Sequence, residues 1–526
     1  MRTAANLRRL PEHPLDGPTI KHFQLLLRDK HDMGFTHVWL IGKRPGIALR
    51  RFCTYPSSML PLLFLAAVTA APTAASITIH ADQPGLEIPA DFVGLSCEKK
   101  ILSHDCFAPK NTSLLNLCRN LSPAVLRIGG NEVESTFWSL SEATPLESMQ
   151  KNKYTLEAKT IGPASVDAVF AFAKASQWRV IYGLNLGTYN PAMAADEADY
   201  ALKVGGPQLL ALEIGNEPNL YPKGPNRPGI RPSSYGYPQY KEQFGGTLDA
   251  ILAKHPQAPI TGPAITKSTK WMPLFMADFH DRIMLATSHV YPLSAKEADP
   301  KAPRFTSVEK LLGEKYPDDW QIKLADAKAR GVPYRIGECN TASSGGKHGV
   351  SDSFASTLWS IDFMFDVAEL GGAGINLHGG FNPGNYSPII FNKKTSGFEP
   401  AAIYYGLLFF RHAGQGRLVP VECKSTANLI AHATRGADQK LRVTIVNKDL
   451  TQTVSIDLSA GVTYAKATIQ RLTAPSATAT TDITFAGAAV GADGSWTART
   501  SELLTVAAGK ATLTLPAASA ALVILE

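Results

Sequence analysis

Cysteine is scarce in this sequence, and the cysteines do not form a known metal or redox motif. Six occur among 526 residues, and no two have the C-x-x-C spacing. This argues against a zinc ribbon or a thioredoxin-like site, and six are too few for a disulfide scaffold in so long a chain. If the chain is exported, Cys106 and Cys118 could close a loop, although the sequence does not assign their pairing.

The motifs of several common enzyme classes are also missing. There is no G-x-S-x-G elbow, no G-x-x-x-x-G-K-[ST] phosphate loop, no G-x-G-x-x-G after a predicted strand and no H-E-x-x-H. Lipase, nucleotide hydrolase, dehydrogenase and zinc protease functions therefore lack the residues that their chemistry needs. We expect neither a metal nor a cofactor.

Excess positive charge is lacking in most of the chain, although the net charge is +7. Residues 1–58 hold ten basic and four acidic residues, which leaves 42 basic and 41 acidic residues in the remainder. The main body therefore gives no electrostatic reason to expect a nucleic-acid partner. Its near neutrality also argues against a strongly sulfated polymer as substrate.

No apolar run reaches the roughly 20 residues that a membrane-spanning helix needs. Residues 59–75, MLPLLFLAAVTAAPTAA, are uncharged, follow Arg50 and Arg51 and end in small residues. This pattern predicts a cleaved secretory signal with no membrane anchor, and hence a secreted or periplasmic protein. Residues 1–58 would then be an unusually long leader extension, with the true start at Met59 or close to it.

Short apolar runs alternate with helical patterns between residues 91 and 414. Runs without strict alternation of polar and apolar residues are typical of strands buried on both faces. Eight such strand and helix units predict a (β/α)8 barrel. The runs are residues 91–96, 124–130, 179–187, 209–218, 259–265, 283–292, 332–338 and 374–380.

The composition changes after residue 414, where Thr, Val and Ala dominate and turn residues separate short runs. Residues 415–526 are therefore predicted to form a β-sandwich. Residues 76–90 have strand character but precede the barrel, so we expect them to join that sandwich. The predicted fold class is α/β, a (β/α)8 TIM barrel with a C-terminal β-sandwich completed by an N-terminal strand.

Two glutamates lie at the ends of predicted barrel strands. Glu217 follows strand four in G-N-E-P-N, and Glu338 ends strand seven in G-E-C-N. The carboxyl ends of the strands build the open face of such a barrel. A retaining glycosidase needs two carboxyl groups about 5 to 5.5 Å apart, one as nucleophile and one as general acid and base. Glu213, deeper on strand four, is expected to be a structural polar group of the barrel core.

Further motifs add to this pair of glutamates. They are GLSCE at 94–98, LRIGGNEVESTFW at 126–138, HVYP at 289–292, ECNTASSGGKHGVSDSFASTLW at 338–359 and LHGGFNPGNYSPI at 377–389. Together with N-E-P on strand four, they resemble clan A of the retaining glycosidases and, within it, glycoside hydrolase family 79, the β-glucuronidases and heparanase relatives. The resemblance spans the barrel, the tail looks like the family's β-domain, and the implied activity is that of a β-glucuronidase on glucuronic acid or its 4-O-methyl form. The near-neutral body favours exo action on a terminal residue over cleavage within a sulfated polymer.

The resemblance also implies a role for individual residues. Glu338 would be the nucleophile, ionised with help from Tyr291 and Arg127, and Glu217 would be the acid/base, protonated before the leaving group departs. His289 is a supporting residue at the end of strand six.

Other residues would bind the sugar itself. Asn216, adjacent to the acid/base, is placed to bond the 2-hydroxyl, an interaction that strengthens in the transition state. Glu98 and Asn131 would hold the remaining hydroxyls. Two glycine-rich loops resemble the family's carboxylate-binding loops, and their residues are Gly345, Gly346, Gly384, Asn385 and Tyr386.

One position departs from the family pattern. Members commonly carry a tyrosine five residues after the nucleophile, where this chain has Ser343. The change could weaken the hold on a glucuronate carboxylate or enlarge the pocket around it. The activity class survives this change, but the sugar specificity stays open.

Plainer interpretations of these residues also exist. Arg127 could be only a buried ion-pair partner, Tyr291 could be core packing, Asn131 could cap a loop and Glu98 could be a surface charge. His289 and His378 fit structural histidines at strand ends.

Three alternative functions remain for the whole chain: a clan A glycosidase for a neutral sugar, an endo-acting heparanase-like enzyme, and a carbohydrate-binding protein without catalysis. The intact glutamates argue against the last. The loop 221–240 follows the acid/base directly, so its aromatic residues are predicted to form part of the leaving-group site.

Overall fold

The protein is described here by a computed structural model, in two compact units divided between Ala71 and Pro72. The described residues are 23–28, 35–44, 47–56, 72–140, 158–222, 229–313, 319–381, 384–461, 464–507 and 509–526. In the first unit, three antiparallel strands form one sheet: Phe23–Arg28, Phe35–Arg44 and Ile47–Pro56. These strands fall within the predicted leader, and residues 59–71 of the predicted signal, 59–75, lie outside the described residues.

A closed barrel of eight parallel strands forms the centre of the second unit, which confirms the predicted barrel. Each strand falls on one of the eight apolar runs. The strands are β1 (Gly94–Glu98), β2 (Ala124–Gly129), β3 (Trp178–Leu184), β4 (Leu209–Ile214), β5 (Ile260–Ile265), β6 (Leu285–Val290), β7 (Tyr334–Cys339) and β8 (Ile375–His378). Almost every residue of these strands is buried, because the barrel interior covers one face and the helices cover the other.

Nine α-helices accompany the barrel within the described residues. Two begin with proline at the first helical position, where the missing N–H costs nothing. None of the described helices is both long and apolar enough to cross a membrane. The helices are Thr112–Asn120, Pro163–Ser176, Pro191–Gly205, Tyr237–Lys254, Trp271–Phe279, Val308–Gly313, Asp319–Lys328, Phe354–Glu369 and Tyr404–Ala413.

Three short two-stranded sheets lie in the segments that connect the barrel elements. One pair, Leu293–Ser294 with Ala342–Ser343, joins the segments that follow β6 and β7. The other pairs are Thr136–Trp138 with Lys159–Ile161 and Ile389–Asn392 with Gly397–Pro400.

The C-terminal part forms two packed sheets around their own apolar core, as a β-sandwich requires. One sheet contains Glu87–Ile88, Gly416–Val419, Leu429–Arg435, Leu441–Asn447, Ala467–Thr473, Thr484–Phe485, Glu502–Leu503 and Ser519–Leu525. The other contains Thr73–Ile79, Val421–Ser425, Val454–Ser459 and Lys510–Leu515.

The predicted N-terminal strand completes this sandwich. Thr73–Ile79 pairs antiparallel with Val421–Ser425 and parallel with Val454–Ser459, and its residues alternate between exposed and buried. The strand begins at Thr73, three residues before the predicted boundary at 76. The start was placed too late because the small Ala and Thr residues at 73–75 suit a signal cleavage site and also fit a half-buried strand.

Five cysteines are free thiols, namely Cys97, Cys106, Cys118, Cys339 and Cys423, so the possible bridge between Cys106 and Cys118 is not formed. Both are buried, one in a short helical turn and the other in Thr112–Asn120. Burial raises the pKa of both thiols, which makes them weak nucleophiles.

An ionic cluster joins the barrel to the sandwich. His432, on a sandwich strand, contacts Glu369 with Nδ1 at 2.7 Å and Asp362 with Nε2 at 3.3 Å, and both acids lie on the helix Phe354–Glu369. Lys448 donates to Asp362 at 2.7 Å, and the His432 ring stacks on Phe365 with centroids 4.5 Å apart. Burial alone would lower the pKa of His432, but hydrogen bonds and charges of the two acids outweigh it and raise the pKa to about 9.

We expect His432→Gln to destabilise the protein by about 2 kcal/mol at pH 6 and by much less at pH 9.5. Because the folded pKa is raised, His432 stabilises the fold fully below its unfolded pKa of about 6.5, and this contribution is lost as pH rises through about 9. Urea unfolding at both pH values measures the difference. His255→Gln, at a more exposed pair with Asp199, is the control with a small effect. An equal loss at both pH values would contradict the prediction.

Candidate active site

The two predicted glutamates lie together at the carboxyl end of the barrel. Glu338 is on β7, and Glu217 lies three residues beyond β4. One carboxylate oxygen of each, with a ring nitrogen of His289, all lie within 4.8 Å of one another. This separation is close to that of the two carboxyl groups of retaining glycosidases. It leaves no space for the extra water that an inverting pair holds between its carboxyl groups.

Glu338 is buried among hydrogen-bond donors. Arg127 Nη1 donates to its Oε2 at 2.9 Å, and the Tyr291 hydroxyl donates to its Oε1 at 2.7 Å. Nδ1 of His378 and Nδ1 of His289 lie 3.7 Å and 3.8 Å from Oε2. Burial by itself would raise the pKa of Glu338, but these positive groups and the Tyr291 hydrogen bond lower it below the ordinary value. Glu338 is therefore ionised, as a nucleophile must be.

Arg127 connects this carboxylate to the barrel core. Its side chain is fully buried, and its Nε donates to Glu213 Oε2 at 2.6 Å while Nη1 reaches Glu338. Glu213 also accepts a hydrogen bond from Thr287 at 2.8 Å, which agrees with the structural role predicted for it. Arg127 is thus a buried ion-pair partner, as the plainer interpretation had it, and also a direct partner of Glu338.

Glu217 sits in a different environment from Glu338. Its contact is with His289 Nδ1, 3.0 Å from Oε1, and it is more exposed than Glu338. Its backbone adopts a left-handed conformation with φ of 46°, anchored by its N–H donating to the carbonyl of Ala264. Such a conformation is uncommon outside glycine and is enriched at functional sites. The turn directs this carboxyl towards Glu338.

These three donors, Glu217, His289 and Glu338, also have the spacing of a metal-ligand cluster. The charge around them disfavours a cation, because Arg127 already neutralises Glu338 at 2.9 Å. The donor set therefore suits acid–base chemistry better than metal binding.

A buried acid that the sequence analysis did not single out holds the turn that carries Glu217. Glu134 accepts hydrogen bonds from the backbone N–H of Asn216 at 2.8 Å and from the hydroxyl of Tyr221. Its other oxygen accepts the N–H groups of Leu186 and Gly187. Burial raises the pKa of Glu134, although these hydrogen bonds lower it in part. The one sequence signal was an acid embedded in the apolar end of the motif at 126–138.

Asn216 is oriented from two sides. Arg127 Nη2 donates to its Oδ1 at 2.8 Å, and Glu134 holds its backbone. With the carbonyl oxygen engaged, the amide nitrogen is the group left to donate to a ligand. This arrangement is what a hydrogen bond to a sugar hydroxyl requires.

Glu98 is linked to Glu338 through a histidine. Its Oε1 lies 3.4 Å from Nε2 of His378, whose Nδ1 faces Glu338, and Ser96 contacts the same Nδ1 at 3.0 Å. Its Oε2 accepts the Glu132 N–H at 2.7 Å. Burial alone would lower the pKa of His378, but the charges of Glu338 and Glu98 raise it. His378, predicted to be merely structural, therefore lies between two carboxylates whose charges favour its protonated form.

Asn131 is the predicted sugar-binding residue that the structure does not bring to this cluster. It begins a short helical turn after β2 and is exposed. The neighbouring Gly130 has φ of 71° and lies against the Glu98 carboxylate. A Cβ at this position would be 2.2 Å from Glu98 Oε2, so only glycine fits here. The close approach of Glu98 turns the chain, so that Glu98 faces the cluster and Asn131 faces solvent.

The two predicted carboxylate-binding loops lie side by side. Asn385 Nδ2 donates to the carbonyl of Gly346 at 3.2 Å, and Asn340 Nδ2 donates to the carbonyls of His378 and Tyr386 at 2.7 Å and 2.8 Å. The Tyr386 ring stacks near that of Tyr291, with centroids 6.2 Å apart.

The outer residues of these loops are solvent-accessible. Gly345, Gly384 and Asn385 are exposed, and Gly345 has φ of 88°, a conformation that favours glycine. Ser343 is half-buried and donates to the Leu293 carbonyl at 3.5 Å. The loops thus border the site with backbone groups and one tyrosine, without a cation among the predicted residues.

The aromatic residues of the loop 221–240 were predicted to form part of the leaving-group site, but three of them pack inside the protein. Tyr221, Tyr235 and Tyr240 are buried. Tyr221 bonds Glu134, and Tyr240 stacks on Trp271 with centroids 5.2 Å apart. Residues 223–228 lie outside the described residues. Tyr221 thus supports the turn that carries Glu217 through Glu134, which also holds the backbone of Asn216.

A large cavity of about 790 Å³ opens beyond Glu98, at the ends of β1 and β8. Phe381, Phe391 and Phe398 form part of its wall. Its polar lining residues are Glu98, Lys100, His104, Asp105, Lys110, Asn111, Glu132 and Ser396. Aromatic faces with a polar rim are typical of a ligand-binding cavity.

Comparison with known proteins adds a family to this geometry. Residues 431–522 match the model of the glycosyl hydrolase family 79 C-terminal beta domain. A β-glucuronidase of Aspergillus niger is 25% identical over 82% of this chain and 91% of that relative. A β-glucuronidase of Neurospora crassa and the heparanase of Rattus norvegicus are 28% and 26% identical, each over 56% of this chain. The matches span only 58% and 61% of those two relatives.

Solved structures share the fold. A 4-O-α-L-rhamnosyl-β-D-glucuronidase from Fusarium oxysporum 12S superposes with a TM-score of 0.69 at 21% identity, over 86% of this chain and 100% of that one. A family 51 arabinofuranosidase from Xanthomonas axonopodis pv. citri gives a TM-score of 0.63 at 14% identity, over 86% of this chain and 100% of that one. The matched C-terminal domain, these relatives and the shared fold make the chain similar to the proteins of glycoside hydrolase family 79.

Proposed function

We propose that this protein is a retaining β-glucuronidase, with Glu338 as the nucleophile and Glu217 as the acid/base. The observation that carries the proposal is the pair of carboxylates within 4.8 Å at the ends of β4 and β7, in opposite environments. Arg127, two histidines and a tyrosine surround Glu338, whereas the Glu217 carboxyl contacts His289. Two carboxyl groups with separate environments can divide the roles of nucleophile and acid.

The first step forms a covalent intermediate. An oxygen of Glu338 attacks the anomeric carbon while Glu217 gives its proton to the glycosidic oxygen, so that the bond to the leaving group breaks. As Glu338 loses its negative charge to the new bond, its attraction to Arg127 weakens. Arg127 remains neutralised by Glu213 at 2.6 Å, so the buried cation is never left unpaired.

The second step releases the sugar. Glu217, now ionised, takes a proton from a water molecule that attacks the anomeric carbon, and the bond to Glu338 breaks. The proton returns Glu217 to its starting state. Two inversions restore the β configuration. Asn216, held by Arg127, would bond the 2-hydroxyl through both steps.

The relatives named as β-glucuronidases and the two adjoining loops favour a uronic acid as the sugar. Backbone N–H groups around Gly345 and Gly346 and the hydroxyl of Tyr386 are the donors proposed for its carboxylate. Lysine and arginine are not needed for this, since several neutral donors can together bind one carboxylate.

Matched aryl β-glycosides test the function on the full chain. We expect the β-glucuronide to exceed the β-glucoside and the β-xyloside by roughly 10²-fold in kcat/KM, because a site built for a carboxylate leaves its donors unpaired with a neutral sugar. NMR of the first product should show the β anomer. Preference for a neutral sugar would contradict the uronic-acid part, the α anomer would contradict retention, and no hydrolysis of any would contradict the enzyme.

A second candidate substrate class follows from the cavity of about 790 Å³ beyond Glu98. It has room for a further sugar on the side of the glucuronate away from the scissile bond. The same assay distinguishes the two classes if an aryl glucuronide extended by one sugar on that side is added. Faster hydrolysis of the extended substrate favours a substrate with a further sugar beyond the glucuronate. Failure to hydrolyse the extended substrate favours cleavage of terminal glucuronate only.

We also propose that the protein is exported and that its signal is removed no later than residue 72. The uncharged run 59–75 supports export, and the pairing of Thr73 and Ala75 in the sandwich argues against cleavage after residue 75. N-terminal sequencing of the exported protein tests this, and a product starting at Ser76 would refute the position.

A further inference from the structure

A second, smaller cavity lies on the leaving-group side of the two glutamates. Its volume is about 220 Å³, and its lining includes His289 and Tyr291, the partners of Glu217 and Glu338. The acid must touch the oxygen of the leaving group, so that group extends past Glu217 towards β5 and β6. The cavity beyond Glu98 lies at β1 and β8 and shares no lining residue with this one.

The lining of the small cavity carries an excess of positive charge. It includes Lys267, Arg304 and Lys323, with Asp319 as the one acid among the lining residues that the structure describes. Lys323 is buried and lies 3.9 Å from Asp319, so this pair is close to neutral. Lys267 and Arg304 remain as cations with no carboxylate beside them among the described residues.

Lys267 is tied to the turn of the acid/base. It follows β5 with φ of 51° and is exposed. Thr266, the residue before it, exchanges two hydrogen bonds with the side chain of Asn219, at 2.7 Å and 3.2 Å. Asn219 is two residues after Glu217, so the position of Lys267 follows that of the acid/base.

Arg304 is held beside Tyr291. Its Nη2 donates to the carbonyls of Tyr291 and Leu293 at 2.7 Å and 3.2 Å. Its Nε is buried and has no hydrogen-bond partner among the described residues. A buried N–H without an acceptor is costly, and an anionic oxygen in the cavity would satisfy it.

We propose that this cavity is a binding site for an anionic group, a carboxylate or a sulfate ester, carried by the leaving group of the substrate. Lys267 and Arg304 are its donors. The inference rests on the proposed function, since it names the leaving groups that the glucuronidase prefers. Without these cations, an anion this close to Glu217 and Glu338 would be repelled. The limited volume suits one charged substituent better than a chain of sugars.

Aryl glucuronides that differ in one charge test the proposal. The 4-(carboxymethyl)phenyl and 4-(carbamoylmethyl)phenyl glucuronides have similar size, and the CH₂ group insulates the phenol, so their intrinsic reactivity is matched. We expect wild-type protein to prefer the carboxylate about tenfold in kcat/KM, mainly through KM, with the preference falling as salt rises. The 4-(sulfomethyl)phenyl glucuronide distinguishes a carboxylate site from a general anion site.

Variants assign the preference to the cavity. Lys267→Met should reduce the ratio of the two rates to about one to three. Lys270→Met, which removes an exposed lysine three residues away that does not line the cavity, should leave the ratio as in wild type. Equal rates for both substrates in wild type, or a tenfold ratio that survives Lys267→Met, would overturn the proposal.

Binding of the leaving group alone separates this proposal from the glucuronidase activity. Calorimetry with 4-hydroxyphenylacetate and its amide needs no turnover. We expect the acid to bind more tightly than the amide, and to lose this advantage in Lys267→Met. If no glucuronide is hydrolysed but this difference is found, the anion site stands and the proposed activity fails. If glucuronides are hydrolysed and the difference is missing, the reverse holds.

Discussion

Glu338→Gln is expected to lower kcat on every aryl glucuronide by at least roughly 10⁴-fold, because an amide cannot attack the anomeric carbon. The substitution keeps the size of the side chain. Arg127 stays paired with Glu213 at 2.6 Å, so the variant does not leave an unpaired cation in the barrel. Turnover measured beside thermal unfolding separates the loss of chemistry from the loss of the fold.

The matched control for this variant is Glu309→Gln, on the exposed face of the helix Val308–Gly313. It removes one carboxylate far from both glutamates in the sequence and should leave kcat within twofold of wild type. A Glu338→Gln protein that folds and keeps kcat within tenfold of wild type would contradict the nucleophile assignment. If Glu338→Gln does not fold, Glu338→Asp replaces it as the test. Glu338→Asp keeps the charge and should fold, but its carboxylate oxygen would lie about one bond length too far from the anomeric carbon, so kcat should still fall.

Glu217→Ala is expected to lower kcat/KM unevenly, depending on the leaving group. A 2,4-dinitrophenyl glucuronide, whose phenolate leaves without a proton, should lose about tenfold, whereas an unactivated phenyl glucuronide should lose roughly 10³-fold. The quantity kcat/KM reports the first step, in which Glu217 acts as an acid. Removal of its base function in the second step lowers kcat for both substrates.

Azide provides an independent measurement on the same variant. The missing side chain leaves space for this small anion, which needs no general base and should raise kcat and give a β-glucuronosyl azide. The wild-type protein, in which the Glu217 carboxylate would repel azide, is the control. Equal losses in kcat/KM for both leaving groups, together with no azide product, would contradict the acid/base role.

The barrel could be predicted because its signal is local. Each of β1 to β8 falls in a short run rich in apolar residues and without strict polar alternation, and a strand buried on both faces needs little else. The N-terminal strand was also found, but its start at Thr73 was misplaced because small residues serve both a cleavage site and a strand. The glutamates followed from the barrel, since strand ends share one face.

Partnerships across the barrel could not be predicted in the same way. Arg127 and Glu338 are 211 residues apart, and only closure of the sheet brings them to 2.9 Å. Nothing in the sequence near Glu134 indicates that it would hold Asn216, 82 residues away. Asn131 was expected at the sugar because it follows β2, but the close contact of Glu98 with Gly130 turned it outward.

The charge of the protein likewise has a part that the sequence predicts and a part that only the tertiary structure shows. Counting charges along the chain correctly indicated a nearly neutral body, but an average cannot reveal that Lys267 and Arg304 line one cavity. No carboxylate of the described residues lies beside either cation. The sequence by itself determined the eight strands, the sandwich and the two glutamates, because each depends on a short pattern of neighbouring residues. The tertiary structure alone decided the partners and orientations of those glutamates, because hydrogen bonds and ion pairs depend on distances between atoms that are remote in the chain.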